Sequence, residues 1–288
     1  MRLPDWIRTQ CRADQHETKL ILRKHRVTTV CEEARCPNRG ECFSKPTATF
    51  MILGSHCTRN CGFCSVDSST PEPPDEGEPE NVARAAEEMG LKYVVITSVT
   101  RDDLADGGAG HFARTISAVR RRLPESKIEV LTPDFQGDTE ALRAVLEARP
   151  DVFNHNVETV ERLYPHVRPQ AVFRRSLSAL KQAKTIAPDI LTKSGFMLGL
   201  GENQGEVLEL LRELRQTGCD VVTIGQYLRP TGNNLPVVEY IHPEVFACLR
   251  VKALAMGFTY VASGPLVRSS MNAAEMYTPA PGPQRPAL

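Results

Sequence analysis

The sequence predicts an α/β fold, a partial (β/α)6 barrel of the TIM type. Six short apolar runs alternate with segments whose apolar residues recur every three or four positions, the pattern of parallel strands joined by crossover helices. The runs are short and apolar, which indicates strands buried on both faces. At 288 residues the chain could form one barrel or two smaller domains, and the buried strands favour the barrel. The predicted strands are 48–53, 93–97, 128–131, 152–153, 191–197 and 221–224, and the predicted helices are 81–89, 111–123, 139–148, 175–186 and 206–217.

We expect an extension at each end of the barrel. Residues 1–46 form the N-terminal extension, which begins with a helical stretch flanked by basic side chains, and residues 47–263 form the barrel. Residues 264–288 form a C-terminal segment. Its last eleven residues contain four prolines, so we expect disorder there.

Composition limits the location and the partners. Lys plus Arg and Asp plus Glu number 35 each, so the net charge gives no reason to expect nucleic acid. No apolar run is long enough to cross a membrane and the N-terminus lacks a secretory apolar segment, so we expect a cytoplasmic protein with no membrane partner. Residues 1–64 are rich in basic side chains, which could face an acidic partner or form a solvated surface.

Cys57, Cys61 and Cys64 follow the first predicted strand at C-x3-C-x2-C spacing. The carboxyl ends of parallel strands form the mouth of such a barrel, so we expect the three thiols there. Three thiolates at this spacing can bind three irons of a cubane iron–sulfur cluster and leave one iron open for chemistry. Zinc is the alternative, but structural zinc takes four protein ligands, and no fourth cysteine or histidine follows at zinc-finger spacing.

A second cysteine triplet precedes the first strand: Cys31, Cys36 and Cys42, at C-x4-C-x5-C spacing. Six of the nine cysteines therefore lie within positions 31–64. In a long chain without a secretory segment, such clustering indicates metal binding rather than disulfides. Two triplets with different spacings indicate two metal centres.

Several residues outside the two triplets are expected to have roles other than metal binding. Cys219 and Cys248 lie outside the triplets and are expected to pack in the core. His56 is expected to shape the surroundings of its neighbour Cys57 rather than bind metal. Charged residues 101–103 form either a solvated loop or charges that face a substrate, and we favour the second.

Nine segments carry a family resemblance that runs from Val30 to Ser270. They are 30–38, 48–54, 57–64, 94–109, 151–158, 193–195, 199–202, 225–228 and 264–270. The C-x3-C-x2-C motif is the signature of radical S-adenosylmethionine enzymes, and the other segments together resemble the lipoyl synthase family within that class. Only the two ends of the chain lie outside the resemblance.

The resemblance implies two [4Fe–4S] clusters and S-adenosylmethionine as cofactors. The cluster on Cys57, Cys61 and Cys64 would cleave S-adenosylmethionine reductively to a radical that takes hydrogen from an unactivated methylene. The cluster on the second triplet would be consumed as the source of two sulfur atoms for carbons 6 and 8 of an octanoyl chain. Ser270 is implied as the fourth ligand of this auxiliary cluster, with Ser269 as the adjacent alternative. The implied catalytic residues are thus Cys57, Cys61, Cys64 and Ser270, and the auxiliary ligands are Cys31, Cys36, Cys42 and Ser270.

The resemblance also implies contacts to S-adenosylmethionine from polar groups and glycines at strand ends. A hydroxyl, amide or carboxylate could bind the ribose or the methionyl group, and glycine lets the backbone approach. For each of these residues alone a structural role is an equal alternative, a surface ion pair for Arg168 and a turn or cap for the others. They are Thr97, Ser98, Asn154, Asn156, Glu158, Arg168, Gly199, Gly201 and Glu202. The chain departs from the family at Met271, where tyrosine usually follows the two serines.

The implied substrate is an octanoylated lipoyl-carrier protein, of the lipoyl-domain or glycine-cleavage H protein type. An electron donor such as ferredoxin or flavodoxin and proteins that repair the auxiliary cluster are the other implied partners. Two alternatives remain open. One is a sulfur-inserting radical enzyme of the biotin synthase type that acts on a small free substrate, and the other is a non-catalytic iron–sulfur carrier or zinc-binding module.

Overall fold

The computed structural model describes residues 3–7, 15–44 and 47–270. Its strands are β1 (Thr28–Thr29), β2 (Thr49–Ile52), β3 (Tyr93–Ser98), β4 (Lys127–Leu131), β5 (Val152–Asn154), β6 (Leu191–Leu198), β7 (Val221–Gln226) and β8 (Tyr260–Ser263). Its helices are α1 (His16–Lys24), α2 (Val30–Glu33), α3 (Arg39–Ser44), α4 (Glu78–Glu88), α5 (Ala109–Arg122), α6 (Thr139–Glu147), α7 (Tyr164–Val167), α8 (Phe173–Ile186), α9 (Gln204–Gln216) and α10 (Pro243–Ala255). Met271 and the proline-rich tail lie outside the described residues.

The eight strands form one sheet in the order of the chain, β1 to β8. Strands β2 to β8 are parallel, each paired with the next, and β1 pairs antiparallel with β2 at the edge. The predicted α/β partial barrel is confirmed, and each of the six predicted strands is present. The structure adds β8, which extends the parallel sheet beyond β7.

Burial explains the strands, and residues at the helix starts explain where helices begin. Every residue of β2 and of β7 is buried, as expected for strands covered on both faces. Helix α9 begins with a capping box, in which Asn203 and Glu206 exchange side-chain and backbone hydrogen bonds. Helix α4 begins at Glu78, three residues before the predicted start, because Pro79 is compatible with the first turn of a helix.

The two extensions meet at the carboxyl end of the barrel. The segment after β8 returns to β7, where the Gly264 N–H donates to Ile224 O at 3.0 Å. The Asn38 side-chain amide, from the N-terminal extension, donates to Leu266 O at 2.7 Å. Both extensions therefore lie at the edge where parallel strands present their carboxyl ends. None of the helices in the described ranges has the length and apolar character needed to cross a membrane.

Candidate functional site

A cavity of about 610 Å³ opens at the carboxyl ends of the strands. Its lining comes from the N-terminal extension, from most of the parallel strands and from the C-terminal segment. Five of the six cysteines predicted as cluster ligands line it, and so do the two C-terminal serines: Cys31, Cys36, Cys57, Cys61, Cys64, Ser269 and Ser270. Cys42, the sixth cysteine, packs against the hydrophobic core.

The loop with Cys57, Cys61 and Cys64 is held by backbone hydrogen bonds. The Cys57 sulfur accepts N–H groups from Arg59 at 3.4 Å and from Thr100 at 3.3 Å. The Gly62 N–H donates to Val167 O at 2.9 Å. Hydrogen bonds to a sulfur stabilise its thiolate form and tune a bound cluster, so the loop is suited to hold one.

Arg59 anchors this loop to two neighbouring loops of the barrel mouth. Its side chain is buried and lines the cavity. The guanidinium forms a two-pronged ion pair with Asp102, at 2.7 and 2.9 Å, and a third contact with buried Asp134 at 2.6 Å. Arginine is the side chain best suited to such planar pairing. The role of Arg59 was not predictable from the sequence, because its partners are 43 and 75 positions away.

Charged residues 101–103, for which we favoured a substrate-facing role, do not line the cavity but form ion pairs with one another and with Arg59. Arg101 is buried, pairs with both carboxylate oxygens of Asp103 and donates to Leu53 O at 3.3 Å. Asp102 is occupied by Arg59. These charges hold the loop after β3 in place beside the cysteine loop.

Burial makes the cysteine thiols poor acids in the absence of a cation. It raises the pKa of Cys31 and Cys64 to about 12 and also raises the pKa of Cys61. A thiolate is stable in such surroundings only beside positive charge, which iron supplies. The donor set therefore fits two iron–sulfur clusters. Among the described residues, no three His, Cys, Asp or Glu side chains are grouped to hold a single metal ion.

The two adjacent serines have different partners. The Ser270 hydroxyl accepts a hydrogen bond from the Thr49 hydroxyl at 2.8 Å, and Thr49 is also close enough to the Cys31 thiol to lower its pKa against the effect of burial. The Ser269 hydroxyl accepts from the Asn154 amide at 2.8 Å and donates to the Asn156 side-chain oxygen at 3.1 Å. Ser270 thus lies on the side of the second cysteine triplet, whereas Ser269 is held by the barrel.

Five of the predicted S-adenosylmethionine contacts line the cavity: Thr97, Ser98, Asn156, Glu158 and Arg168. The hydroxyl oxygens of Ser98 and Thr132 and the Nε of Arg168 are buried at this cavity without a partner among the described residues. Buried polar atoms are normally hydrogen-bonded. Unpaired donors and acceptors in a cavity beside the cysteines are the arrangement that a polar ligand would complete.

The other four predicted contacts lie outside the lining of the cavity. Asn154 bridges Ser269 to the barrel interior. The Glu202 carboxylate accepts the N–H groups of Gly199 at 2.5 Å and of Leu200 at 3.0 Å, which closes the turn after β6. Gly199 and Gly201 both have positive φ, at 98° and 106°, a conformation that favours glycine in this turn. These residues shape the wall behind the cavity.

Two groups to which the sequence assigned no specific role also line the cavity, Tyr227 and His155. Tyr227 is buried, and its hydroxyl donates to Leu235 O at 2.8 Å. His155 is buried with its ring bonded to Thr132 O and to the Ser176 hydroxyl. Burial lowers the pKa of His155 to about 4, so the imidazole is neutral at pH 7.

The predictions for single residues outside the triplets have mixed outcomes. Cys219 is fully buried, as predicted, but the prediction that Cys248 packs in the core is wrong. Cys248 lies on the solvent side of α10, whose face toward the core carries Phe246 and Leu249. His56 pairs loosely with Asp67 at 3.8 Å beside the cysteine loop.

The open parallel barrel and the cysteine loop at its mouth define the class of radical S-adenosylmethionine enzymes. The family model described as Radical SAM superfamily matches residues 51–225. Among solved structures, methylornithine synthase has a similar fold, with a TM-score of 0.56 and 16% identity over 87% of this chain and 82% of that one.

Curated relatives identify the family within this class. The chain is 55% identical to lipoyl synthase of Alkaliphilus metalliredigens, over 95% of each chain. It is also 55% identical to lipoyl synthase of Rubrobacter xylanophilus, over 94% of this chain and 85% of the relative. The chain belongs to the lipoyl synthase family. The cofactors of this family are [4Fe–4S] clusters and S-adenosylmethionine.

Proposed function

We propose that the protein converts an octanoyl chain, attached to a lysine of a lipoyl-carrier protein, into a lipoyl group by inserting sulfur at carbons 6 and 8. The observation that supports this reaction is the shared cavity. Cysteines of both triplets and the serines of the C-terminal segment line one space. A radical generated at one triplet could therefore act on a substrate beside the other.

Each cysteine triplet would hold one cluster. Cys57, Cys61 and Cys64 would hold the cluster that binds S-adenosylmethionine, and Ser270 would complete the auxiliary cluster on the other triplet, Cys31, Cys36 and Cys42. When bound, these cofactors supply a hydrogen-abstracting adenosyl radical and the sulfur atoms. Serine is a harder ligand than thiolate, which suits a cluster that must be taken apart.

The protein's own contribution is to bind S-adenosylmethionine and to exclude water. Arg168 has an unpaired, buried Nε that could donate to a carboxylate, and Ser98 has an unpaired hydroxyl oxygen. Thr97, Asn156 and Glu158 add polar groups to the same wall. Asn154, Gly199, Gly201 and Glu202 would act behind this wall by fixing its shape.

The apolar part of the cavity suits an acyl chain. Met51, Leu131, Phe196 and Met197 line it. Apolar walls would bury the methylene groups and keep water from a radical intermediate. At each of the two carbons one C–H bond breaks and one C–S bond forms. The hydrogen atom leaves on 5′-deoxyadenosine, so two molecules of S-adenosylmethionine are consumed for each lipoyl group.

The proposed substrate determines the proposed partners. The octanoylated carrier protein delivers the acyl chain, a small reduced protein such as ferredoxin or flavodoxin supplies electrons, and cluster-repair proteins rebuild the auxiliary site. We propose a cytoplasmic location, which is supported by the assignment of six cysteines to clusters rather than to disulfides.

Anaerobic turnover with an octanoylated carrier protein tests this function. We expect mass spectrometry to show a carrier that gains two sulfur atoms and loses two hydrogen atoms, together with 5′-deoxyadenosine. Sulfur insertion into a small free substrate instead would favour an enzyme of the biotin synthase type. Absence of 5′-deoxyadenosine would favour a non-catalytic iron–sulfur protein.

Iron and sulfide analysis after anaerobic reconstitution tests the number of clusters independently of turnover. Two cubane clusters require about eight irons per chain. A plateau at about four irons, or stoichiometric zinc, would contradict the assignment of one cluster to each triplet.

A further inference from the structure

A buried ion pair lies in the barrel interior, beneath the C-terminal segment. Lys193 on β6 and Glu129 on β4 have side chains only 1% and 0% exposed, and the Lys193 ammonium contacts both carboxylate oxygens at 2.9 and 3.0 Å. Residues two apart on a strand share a face, so Glu129 lies on the same face as cavity-lining Leu131. Sequence patterns gave no sign of this pair, whose partners are 64 positions apart.

The ion pair is linked to the C-terminal serines through Asn154. The Asn154 amide nitrogen donates to the Glu129 carboxylate at 3.0 Å and to the Ser269 hydroxyl at 2.8 Å. Ser269 in turn donates to Asn156 at 3.1 Å. The chain of contacts therefore runs from the barrel interior to the residue next to Ser270.

These contacts form a hydrogen-bond relay from Glu129 through Asn154 and Ser269 to Asn156, and the Glu129 carboxylate sets the direction of its bonds. A carboxylate paired with lysine only accepts, so the Asn154 side chain must turn its NH2 group toward Glu129. The same NH2 group then faces Ser269, whose hydroxyl accepts it and is left to donate to Asn156. A flipped Asn154 amide would place its oxygen against the carboxylate, which is unfavourable.

Stability alone does not account for the ion pair. Replacing a buried ion pair by apolar side chains of similar volume is often neutral or stabilising, whereas removing one partner is costly. A fully directed chain of buried hydrogen bonds, by contrast, fixes one arrangement of the groups at its end. Here those groups are the Ser269 hydroxyl and the backbone that carries Ser270.

We propose that Lys193 and Glu129 are positioning residues that hold the Ser269–Ser270 segment beside the second cysteine triplet. The inference rests on the proposed role of Ser270 as a ligand of the auxiliary cluster. It assigns the ion pair a part in sulfur insertion without contact to substrate or cofactor.

The test replaces both charges together, so that no single buried charge is left. The variant is Lys193→Met with Glu129→Met. The control is Lys184→Met, which removes a lysine paired with Asp220 at 2.8 Å near the amino ends of β6 and β7. Hydrogen exchange of the peptide at 264–270 is measured in the full chain without clusters, and turnover is measured after reconstitution.

In the double variant we expect the 264–270 peptide to exchange about tenfold faster, with no change in the control. We expect sulfur insertion to fall by about tenfold while 5′-deoxyadenosine formation stays within about twofold of wild type. Unchanged exchange, or wild-type sulfur insertion, would overturn the proposal. If wild type itself inserts no sulfur, the proposed function fails, and the exchange comparison still decides whether the ion pair positions the segment.

A second variant keeps the test decisive if the double variant does not fold. Asn154→Ala leaves Lys193 paired with Glu129 and cuts the link to Ser269. It should speed exchange of the same peptide and slow sulfur insertion. Wild-type behaviour of this variant in both measurements would exclude the relay.

Discussion

At the scale of single residues, the adjacent C-terminal serines have different hydrogen-bond partners, so replacing each one in turn tests their roles separately. Ser270 accepts from Thr49 beside Cys31, and Ser269 lies between Asn154 and Asn156. We predict that Ser270→Ala abolishes most sulfur insertion, a loss of about tenfold or more, but keeps 5′-deoxyadenosine formation. Mössbauer spectra of the reconstituted variant should show a changed iron environment in one cluster.

Ser269→Ala is the matched comparison for Ser270→Ala. It removes one hydrogen-bond partner from each of two buried amide side chains, Asn154 and Asn156, so we expect a loss of about 1–3 kcal/mol in unfolding free energy, measured by urea denaturation. The iron environment should stay closer to wild type than in Ser270→Ala. The reverse ranking of the two variants would assign the ligand to Ser269.

Arg168 is predicted to determine affinity for S-adenosylmethionine rather than the rate of its cleavage. Its Nη1 is engaged by Asn156 O at 2.9 Å and the Tyr164 hydroxyl at 3.1 Å, while Nε is unpaired. Losing one charge-assisted hydrogen bond costs about 1.5–3 kcal/mol, so Arg168→Met should raise KM for S-adenosylmethionine by about tenfold or more. The rate at saturation should change less.

A surface arginine provides the control for Arg168. Arg174 pairs with Glu161 and Glu213 and is 60% exposed, so Arg174→Met should leave KM unchanged. An Arg168→Met enzyme with wild-type KM would show that the unpaired Nε faces no ligand.

Sequence spacing predicts residues whose chemistry depends on near neighbours in the chain. The two cysteine triplets are of this kind, because each lies within a dozen residues. Arg59 and Lys193 are not, because their carboxylate partners come from other strands and loops. The same limit applies within 101–103 only to Asp102, whose partner Arg59 is 43 positions away, since Arg101 pairs with Asp103 in the same segment.

At the scale of secondary structure, the carboxyl end of β7 is shaped to receive the C-terminal segment. A Cβ at Gly225 would lie 2.3 Å from Val267 O and 3.2 Å from Arg268. We predict that Gly225→Ala displaces this segment and lowers sulfur insertion more than 5′-deoxyadenosine formation. Faster hydrogen exchange in the 264–270 peptide would measure the displacement directly.

Gly232→Ala is the control for this substitution, since a Cβ there meets nothing within 4 Å. It should leave exchange and turnover at wild-type values. Equal effects of the two alanines would mean that the loss reflects glycine content and not the contact with Val267.

The strand prediction succeeded at β7 and missed β8. The β7 run Val221–Gln226 is buried throughout, so burial and sequence agree. In β8, Tyr260–Ser263, only Val261 is buried, and the strand is defined by its pairing with β7. Such a strand exists because the sheet offers an edge, which no local pattern records.

At the scale of the whole molecule, the meeting of the two extensions over one cavity was not predictable from local patterns. Contacts such as Asn38 with Leu266 join positions 228 apart, and Thr49 with Ser270 joins positions 221 apart. The family resemblance implied the link through Ser270. The geometry adds that both ends of the described chain close the same side of the barrel.

Buried His155 should make global stability depend on pH. Burial, the largest cause, and Arg168 and Arg59 lower its pKa to about 4, although Asp134 and the Thr132 carbonyl oppose them. The unfolded histidine has a pKa of about 6.5 and binds a proton that the folded one rejects, so stability is lost as pH falls through that window. The difference corresponds to about 3 kcal/mol, fully present above about pH 6.5 and absent by about pH 4.

Urea denaturation of the chain without clusters, at a series of pH values between these limits, measures this dependence. His155→Gln, which stays neutral, should be less stable at pH 7 because its bonds to Thr132 and Ser176 are disturbed, but its stability should change less with pH. The control is His166→Gln on the exposed side of α7, which should retain the wild-type slope. A His155→Gln slope equal to that of wild type would place the pH dependence in other groups, and the neutral imidazole would then have no bearing on the stability of the barrel mouth.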